Sequence, residues 1–332
     1  MNGWLGLYGR SLLLVMLALQ SCPTVSRGET VLKEPSAVVV ERRATAFLSR
    51  AVGTWHAKNR CYSCHNNGDG VRVLLWSGRF GLRTDASVLR DSIRWLSTPE
   101  RWKQNAAQEE FNDHKLATIQ FALALDQAVG RGLVRDQTVL RKAEQLIVEF
   151  QNDDGSWTEE VDGDRGSPTT YGRFLATALL CNMLSREPDR YQTTLNKAKV
   201  WFARTVPKST VAAAAVMLVR PRIQPQPAVV ARCRMILITN QAPDGGWGPD
   251  ANSPSEPFDT AVALLALRGG SPANSRRQIR LGRTYLLQTQ LADGAWPETT
   301  RPALRESYAQ RVSTTAWALQ SLIATRPAPM SQ

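Results

Sequence analysis

The sequence predicts an all-α fold in which about six helical hairpins close into a ring. Two observations predict it: one seven-residue motif recurs three times, and helix-like stretches flank each copy. Of 332 residues, 43% are hydrophobic and 21% are charged, which is too apolar for a disordered chain. Five cysteines exclude a disulfide-dense scaffold, and three histidines exclude any site that needs a histidine cluster.

The first 28 residues are typical of an export signal. The nine-residue apolar run Ser11–Leu19 is too short to cross a membrane. The segment Leu19–Cys22 resembles a bacterial lipobox, which would make Cys22 the lipidated first residue of the mature protein. Cleavage near Gly28, which would discard Cys22, is the alternative. We therefore expect an exported protein, either periplasmic or anchored to a membrane by a lipidated cysteine, with a linker at 29–37.

The recurring motif reads Q-x-x-D-G-x-W and begins at Gln151, Gln241 and Gln290. The starts lie 90 and 49 residues apart, which fits a repeat of 45 to 49 residues with one degenerate unit. Asp-Gly forms a turn just past a helix end, the glutamine amide binds unpaired backbone groups, and the tryptophan ring fills the space between hairpins. The motif is therefore predicted to staple neighbouring hairpins together.

Extending this register gives six hairpins, of which the second and fourth lack the motif. They are predicted at Val38–Gly81, Asp85–Val129, Asp136–Leu184, Tyr191–Val219, Pro227–Leu267 and Ser275–Ala324. Polar helices are expected outside and apolar helices inside, so that closure gives every hairpin two neighbours. The chain is thus one ring domain at 38–325, followed by a tail at 326–332.

The three motif copies resemble the QW repeats of squalene-hopene cyclases. Residues 38–325 as a whole resemble one α/α toroid of the terpenoid cyclase and protein prenyltransferase superfamily. The resemblance implies an α/α toroid that can hold an apolar small molecule in its cavity, but this fold hosts unrelated functions.

The proton donor that the resemblance implies is absent from this sequence. Squalene-hopene cyclases use the middle acid of D-x-D-D-T-A, and the matching segment here is Glu256–Ala261, in which Phe258 takes the donor position. Asp259 remains either as a candidate catalytic acid or as a helix N-cap. Protein prenyltransferases hold zinc with Asp, Cys and His, whereas Cys181 and Cys233 fall in apolar helix-like stretches typical of buried thiols. Zinc is not expected there, nor is a nucleotide.

The first hairpin carries C-x-x-C-H in place of its staple. Cys61, Cys64 and His65 match the attachment signature of c-type haem, in which two thiols bind the porphyrin and the histidine ligates the iron. The segment from Trp55 to His65 also resembles one found in exported planctomycete relatives of squalene cyclases. A redox-active Cys61–Cys64 disulfide and a zinc knuckle with His65 are the alternatives.

A haem bound through His65 could take a sixth ligand from His56 or His114. His56 is close to the end of the first outer helix, and His114 is at the start of the second inner helix. Five-coordinate iron suits small-molecule chemistry, and six-coordinate iron suits electron transfer.

The charge, +12 overall, is unevenly distributed along the chain. Residues 190–243 contain nine basic and no acidic side chains, whereas residues 108–164 contain 13 acidic and five basic ones. This predicts a basic sector that could contact a membrane surface or an acidic redox partner protein. A scattered arginine-rich surface is the alternative, and nucleic acid is not expected outside the cytoplasm.

Two functions follow from these patterns. The first is an exported module that carries a covalent haem and acts in redox chemistry or ligand binding. The second is an enzyme of the terpenoid cyclase class, in which polar groups at the starts of inner helices line a cavity for an apolar ligand; the candidates are His114, Tyr171, Asp259 and Ser313.

Overall fold

The computed structural model describes residues 36–105, 114–158, 165–219, 223, 225–269, 275–301 and 307–327, all within one compact unit. The predicted export signal, with Cys22, and nearly all of the predicted linker lie outside the described residues. Every regular element in the described part of the chain is helical, as predicted. None of the described helices is both long and apolar enough to cross a membrane.

The described helices form an outer and an inner layer. The outer helices are α1 (Ala37–Asn59), α3 (Ala86–Leu96), α5 (Gln137–Glu149), α7 (Gln192–Arg204), α9 (Pro227–Thr239) and α11 (Arg276–Thr289). The inner helices are α2 (Val71–Ser77, preceded by a π-helical turn Cys64–Gly70), α4 (His114–Gly130), α6 (Gly172–Leu184), α8 (Thr210–Leu218), α10 (Pro257–Gly269) and α12 (Tyr308–Ala324). Each observed hairpin begins within one residue of its predicted start.

The inner helices close the ring. Each contacts the next in chain order, and α12 contacts both α10 and the first inner helix. The outer helices have one buried face; α5 buries Leu140, Ala143 and Ile147 at helical spacing. By contrast, α8 buries every residue from Thr210 to Met217, because it is enclosed on all sides. The four consecutive alanines Ala212–Ala215 let its neighbours approach closely.

The three Q-x-x-D-G-x-W segments make the same contacts. Each tryptophan is fully buried and donates from Nε1 to a carbonyl near the end of its own outer helix; the acceptors are Ile147, Leu237 and Leu286. Each glutamine donates to its own turn glycine and to a carbonyl of the next outer helix; the latter acceptors are Thr194, Gln278 and Val40. Because Val40 belongs to α1, the third copy binds the last hairpin to the first.

The two ends of the ring differ in which helix termini they carry. At one end the outer helices finish and the inner helices begin; we call it the CxxCH end, because Cys61–His65 lies there. At the other end the inner helices finish and the outer helices begin. We call it the arginine end, after Arg79, Arg131, Arg268 and Arg276.

Candidate functional site

The C-x-x-C-H segment joins the first outer helix to the first inner helix. α1 ends at Asn59, Arg60 adopts a left-handed conformation (φ 54°), and Cys61–Ser63 form a short connection. The sequence predicts an insertion in the turn of this hairpin, but the structure makes Cys64–Gly70 the first turns of the inner helix. The π-helical form of these turns is uncommon and occurs frequently at functional sites.

Side chains fix the backbone of this connection at several points. The Ser63 hydroxyl accepts hydrogen bonds from the amides of His65 (3.1 Å) and Asn66 (3.3 Å) and so caps the inner helix. The Asn105 side chain pairs with Tyr62, accepting from its N–H (3.0 Å) and donating to its carbonyl (2.6 Å). The motif is therefore held in one conformation on both sides of Cys64.

The glycine after the motif allows the first two inner helices to approach each other. A Cβ atom at Gly68 would lie 2.9 Å from Gln120 Cβ and 3.2 Å from the backbone carbon of Gln120. Real side chains do not tolerate such a contact. The close contact between the first inner helix and α4 therefore requires glycine at position 68.

His65 lies in the first inner turn, with Nδ1 3.0 Å from the hydroxyl oxygen of Ser313 on α12. Desolvation lowers the pKa of His65 to about 4, against an opposing effect of Asp69, so the imidazole is neutral at pH 7. When Nδ1 carries the proton and donates it to Ser313, Nε2 presents its lone pair to a ligand. The sequence named His65 and Ser313 separately, and the structure brings them together.

The two thiols of the motif flank this imidazole in the chain. Cys61 and Cys64 are partly exposed, and no disulfide bond joins them. Among the described residues, no three His, Cys, Asp or Glu side chains form a group that could hold a metal ion. A zinc knuckle needs its thiolates and imidazole on one ion, whereas haem thiols bind the porphyrin edge and only the histidine binds iron. The partly exposed thiols and an imidazole held through Nδ1 are the donor set that haem attachment would use.

The two candidate sixth ligands differ in their surroundings. The His56 ring stacks on Tyr62 at 4.2 Å, and its Nδ1 lies 2.9 Å from Asp91 Oδ2, so it is engaged between outer helices. His114 is exposed and begins α4, the inner helix next to the one that carries His65. Both residues lie at the CxxCH end, and which of them would be the sixth ligand stays a prediction.

Asp259 lies in a buried ionic cluster at the start of α10. Arg301 Nη2 lies 3.0 and 2.9 Å from its two carboxylate oxygens, and Arg301 Nη1 lies 2.6 Å from Glu256 Oε2. Burial raises the pKa of Asp259 to about 7, although the charge of Arg301 opposes this. The N-cap interpretation of Asp259 is wrong, because the residue lies inside α10 and its carboxylate accepts hydrogen bonds from Arg301.

The ring centre is filled by polar and aromatic side chains, of which only Tyr171 was identified from the sequence. Asp69 accepts hydrogen bonds from the Tyr171 hydroxyl, from Arg72 (3.2 Å) and from Gln120 (3.1 Å). The Arg72 guanidinium also lies 4.7 Å from the ring centre of Trp317. These partners come from four inner helices, and all five side chains are buried.

Tyr171 and Ser313 were predicted to line a ligand cavity, but both are fully buried in contacts. Tyr171, Ser313 and Asp259 do not line the cavities of about 670, 740 and 560 Å³ at the surface of the described ring. Their role in lining a ligand cavity stays a prediction.

No protein-family model matches the chain. A curated protein, drimenyl diphosphate synthase from Streptomyces showdoensis, is 25% identical over 179 residues, which are 49% of this chain and 32% of that protein. The matched region thus spans about a third of the length of this relative.

Solved structures share the fold over most of the chain. A protein from Actinoplanes is 17% identical, with a TM-score of 0.55 over 87% of this chain and 99% of that one. A type II terpene cyclase from Scytonema, solved with its substrate geranylgeranyl dihydroxybenzoate, is 12% identical, with a TM-score of 0.55 over 87% and 97%. A glycosidase variant is 13% identical, with a TM-score of 0.57 over 88% and 98%. The chain therefore has the α/α toroid fold shared by type II terpene cyclases and glycosidases.

Proposed function

We propose that this protein is an exported ring protein that carries one c-type haem, bound to Cys61 and Cys64 and ligated by His65, and that it acts in electron transfer or small-molecule binding. The observation that supports it most is the His65–Ser313 contact of 3.0 Å. It fixes the imidazole through Nδ1 and leaves Nε2 to ligate iron. When bound, the haem would supply a redox-active iron.

The surroundings of the motif support the same proposal. Ser63 and Asn105 fix the backbone on either side of Cys64, so the two thiols and the imidazole would be preorganised for attachment. The predicted export signal agrees with it, because c-type haem is attached outside the cytoplasm. A redox partner protein or a membrane surface would contact the basic sector predicted at residues 190–243.

The test is to express the full chain in a host that matures c-type cytochromes. We expect a Soret band and a mass increase of one haem that survives denaturation, both lost in the double variant Cys61→Ala/Cys64→Ala. Cys233→Ala is the matched control, because this thiol is buried on outer helix α9 and should leave haem attachment unchanged. Wild-type protein without absorbance or adduct, beside a cytochrome that matures in the same cells, overturns the proposal.

His114→Ala separates the two roles of the haem. If His114 is the sixth ligand, the variant should convert a six-coordinate low-spin spectrum into a five-coordinate one, and the protein is then an electron carrier. His56→Ala is the control, because His56 already contacts Asp91 and Tyr62. A wild-type spectrum that is five-coordinate from the start assigns the haem to small-molecule binding.

A terpenoid cyclase is the second candidate function, favoured by the buried Asp259 with its pKa near 7. The partial similarity to drimenyl diphosphate synthase supports it too. Against it, Phe258 occupies the donor position and Arg301 holds both Asp259 oxygens. Incubation with isoprenyl diphosphates followed by product analysis tests it: a cyclic product that is lost in Asp259→Asn would establish the activity.

A further inference from the structure

A cavity at the arginine end carries a strong positive charge. Its volume is about 740 Å³, within the range of small-molecule sites, and it lies between the ends of α10 and α12 and the first turns of α11. Five arginines line it and no acidic side chain does; they are Arg268, Arg276, Arg280, Arg283 and Arg326. Neither the haem motif nor Asp259 contributes to this cavity.

Three of these arginines lie on one face of α11, at positions 276, 280 and 283. Like charges at this spacing on a helix repel each other. Arg268, Arg276 and Arg280 have no hydrogen bond or ion pair to other described residues, and all three are exposed. The cavity therefore holds three exposed cationic groups that no acidic side chain of the described residues neutralises.

The other two arginines are fixed in place. Arg283 is nearly buried and donates to the Leu322 carbonyl and to the Thr325 hydroxyl (2.9 Å), which positions it in the wall. Arg326 pairs with the buried carboxylate of Glu41 on α1. A ligand would thus meet a rigid cationic wall on one side and unpaired arginines on the other.

The neighbouring groups indicate the kind of anion. Guanidinium groups bind phosphate oxygens in pairs, and a helix N-terminus adds unpaired amides that favour phosphate. The N-terminus of α11, where Arg276 lines the cavity, has no side-chain hydrogen-bond cap. Leu287 and Ala324 form apolar parts of the wall, which suit a carbon chain attached to the anion.

We propose that this cavity binds a phosphoryl group, either on a soluble diphosphate or on a lipid headgroup, attached to an apolar chain. Arg276 and Arg280 bind the phosphate oxygens, and Arg283 orients them. The proposal does not depend on haem at the opposite end of the ring.

The test uses the full chain with two probes, pyrophosphate in calorimetric titration and vesicles in flotation. The vesicles are made of phosphatidylcholine with or without phosphatidylglycerol. The double variant Arg276→Ala/Arg280→Ala should weaken binding about 10- to 100-fold, because it removes two charge-assisted contacts. Arg141→Ala/Arg232→Ala is the matched control: it removes two exposed arginines from other outer helices, outside the cavity.

The two probes distinguish the source of the phosphoryl group. Pyrophosphate binding that the double variant loses and the control keeps supports a soluble ligand. Binding only to phosphatidylglycerol vesicles, with the same loss, supports a lipid headgroup. Binding of neither probe, or equal binding by wild type and double variant, overturns the proposal.

Discussion

The ionic cluster of Asp259, Glu256 and Arg301 at the CxxCH end is buried and paired, whereas three of the five arginines around the cavity at the arginine end are exposed and have no partner among the described residues. Arg301 is 8% exposed and binds two buried carboxylates, but Arg268, Arg276 and Arg280 meet no described partner. The dipole of α10 favours Asp259 near its N-terminus and Arg268 near its C-terminus, whereas Arg276 and Arg280 lie near the N-terminus of α11, where a cation is disfavoured. The difference is one of solvation. The charges of the Asp259 cluster neutralise each other inside the protein, whereas the cavity arginines face solvent and can contact a ligand.

Removing one arginine from each end is the strongest test of this difference. Arg301→Ala leaves the buried carboxylates of Asp259 and Glu256 without a cation, so the free energy of unfolding should fall by about 3–5 kcal/mol. Arg276→Ala removes an exposed, unpaired side chain and should change it by about 0.5 kcal/mol or less. Urea denaturation measures both, and equal losses would contradict the comparison.

The pH dependence of stability tests the buried cluster. The pKa of Asp259 is 3.8 as a model group and about 7 in the folded chain, so the folded state holds this proton more tightly. Its contribution to stability is complete below about pH 4 and is lost as the pH rises through 7. From about pH 5 to pH 8, the unfolding free energy of wild type should fall by about 2–3 kcal/mol more than that of Asp259→Asn. Parallel profiles would show that Arg301 keeps Asp259 ionised throughout.

Two helical glycines give the smallest expected effect. Gly68→Ala at the CxxCH end places a methyl group 2.9 Å from Gln120 and should destabilise the fold by about 1–3 kcal/mol. Gly269→Ala at the arginine end meets no atom within 4 Å and should be neutral or stabilising by up to about 1 kcal/mol. Thermal unfolding compares them, and a tolerated Gly68→Ala would mean that the first two inner helices can separate.

The repeats were predictable because each Q-x-x-D-G-x-W motif contains, within seven residues, the glutamine and glycine of its turn and the tryptophan that it buries. The predicted starts of all six hairpins lie within one residue of the observed ones, including the three hairpins that lack the motif. The partners of Asp259 and Asp69 were not predictable, because Arg301 is 42 residues from Asp259 and Tyr171 is 102 residues from Asp69. Only closure of the ring brings them together.

The arginine cavity had a local signal that the charge count along the chain missed. Counting by segment drew attention to residues 190–243, whereas the five arginines of the cavity fall between 268 and 326. The spacing of Arg276, Arg280 and Arg283 places three of them on one helix face, which a helical projection of α11 would have detected. The haem motif, by contrast, was visible in five consecutive residues, and its attachment remains a prediction.

The ion pair between Arg326 and Glu41 closes the junction between the first and last helices of the ring. It joins the segment after α12 to the second turn of α1, so both termini of the described ring leave from the arginine end. The described chain therefore begins and ends at the end of the ring opposite the CxxCH segment, about the length of the 23-residue helix α1, or ~34 Å, away from it.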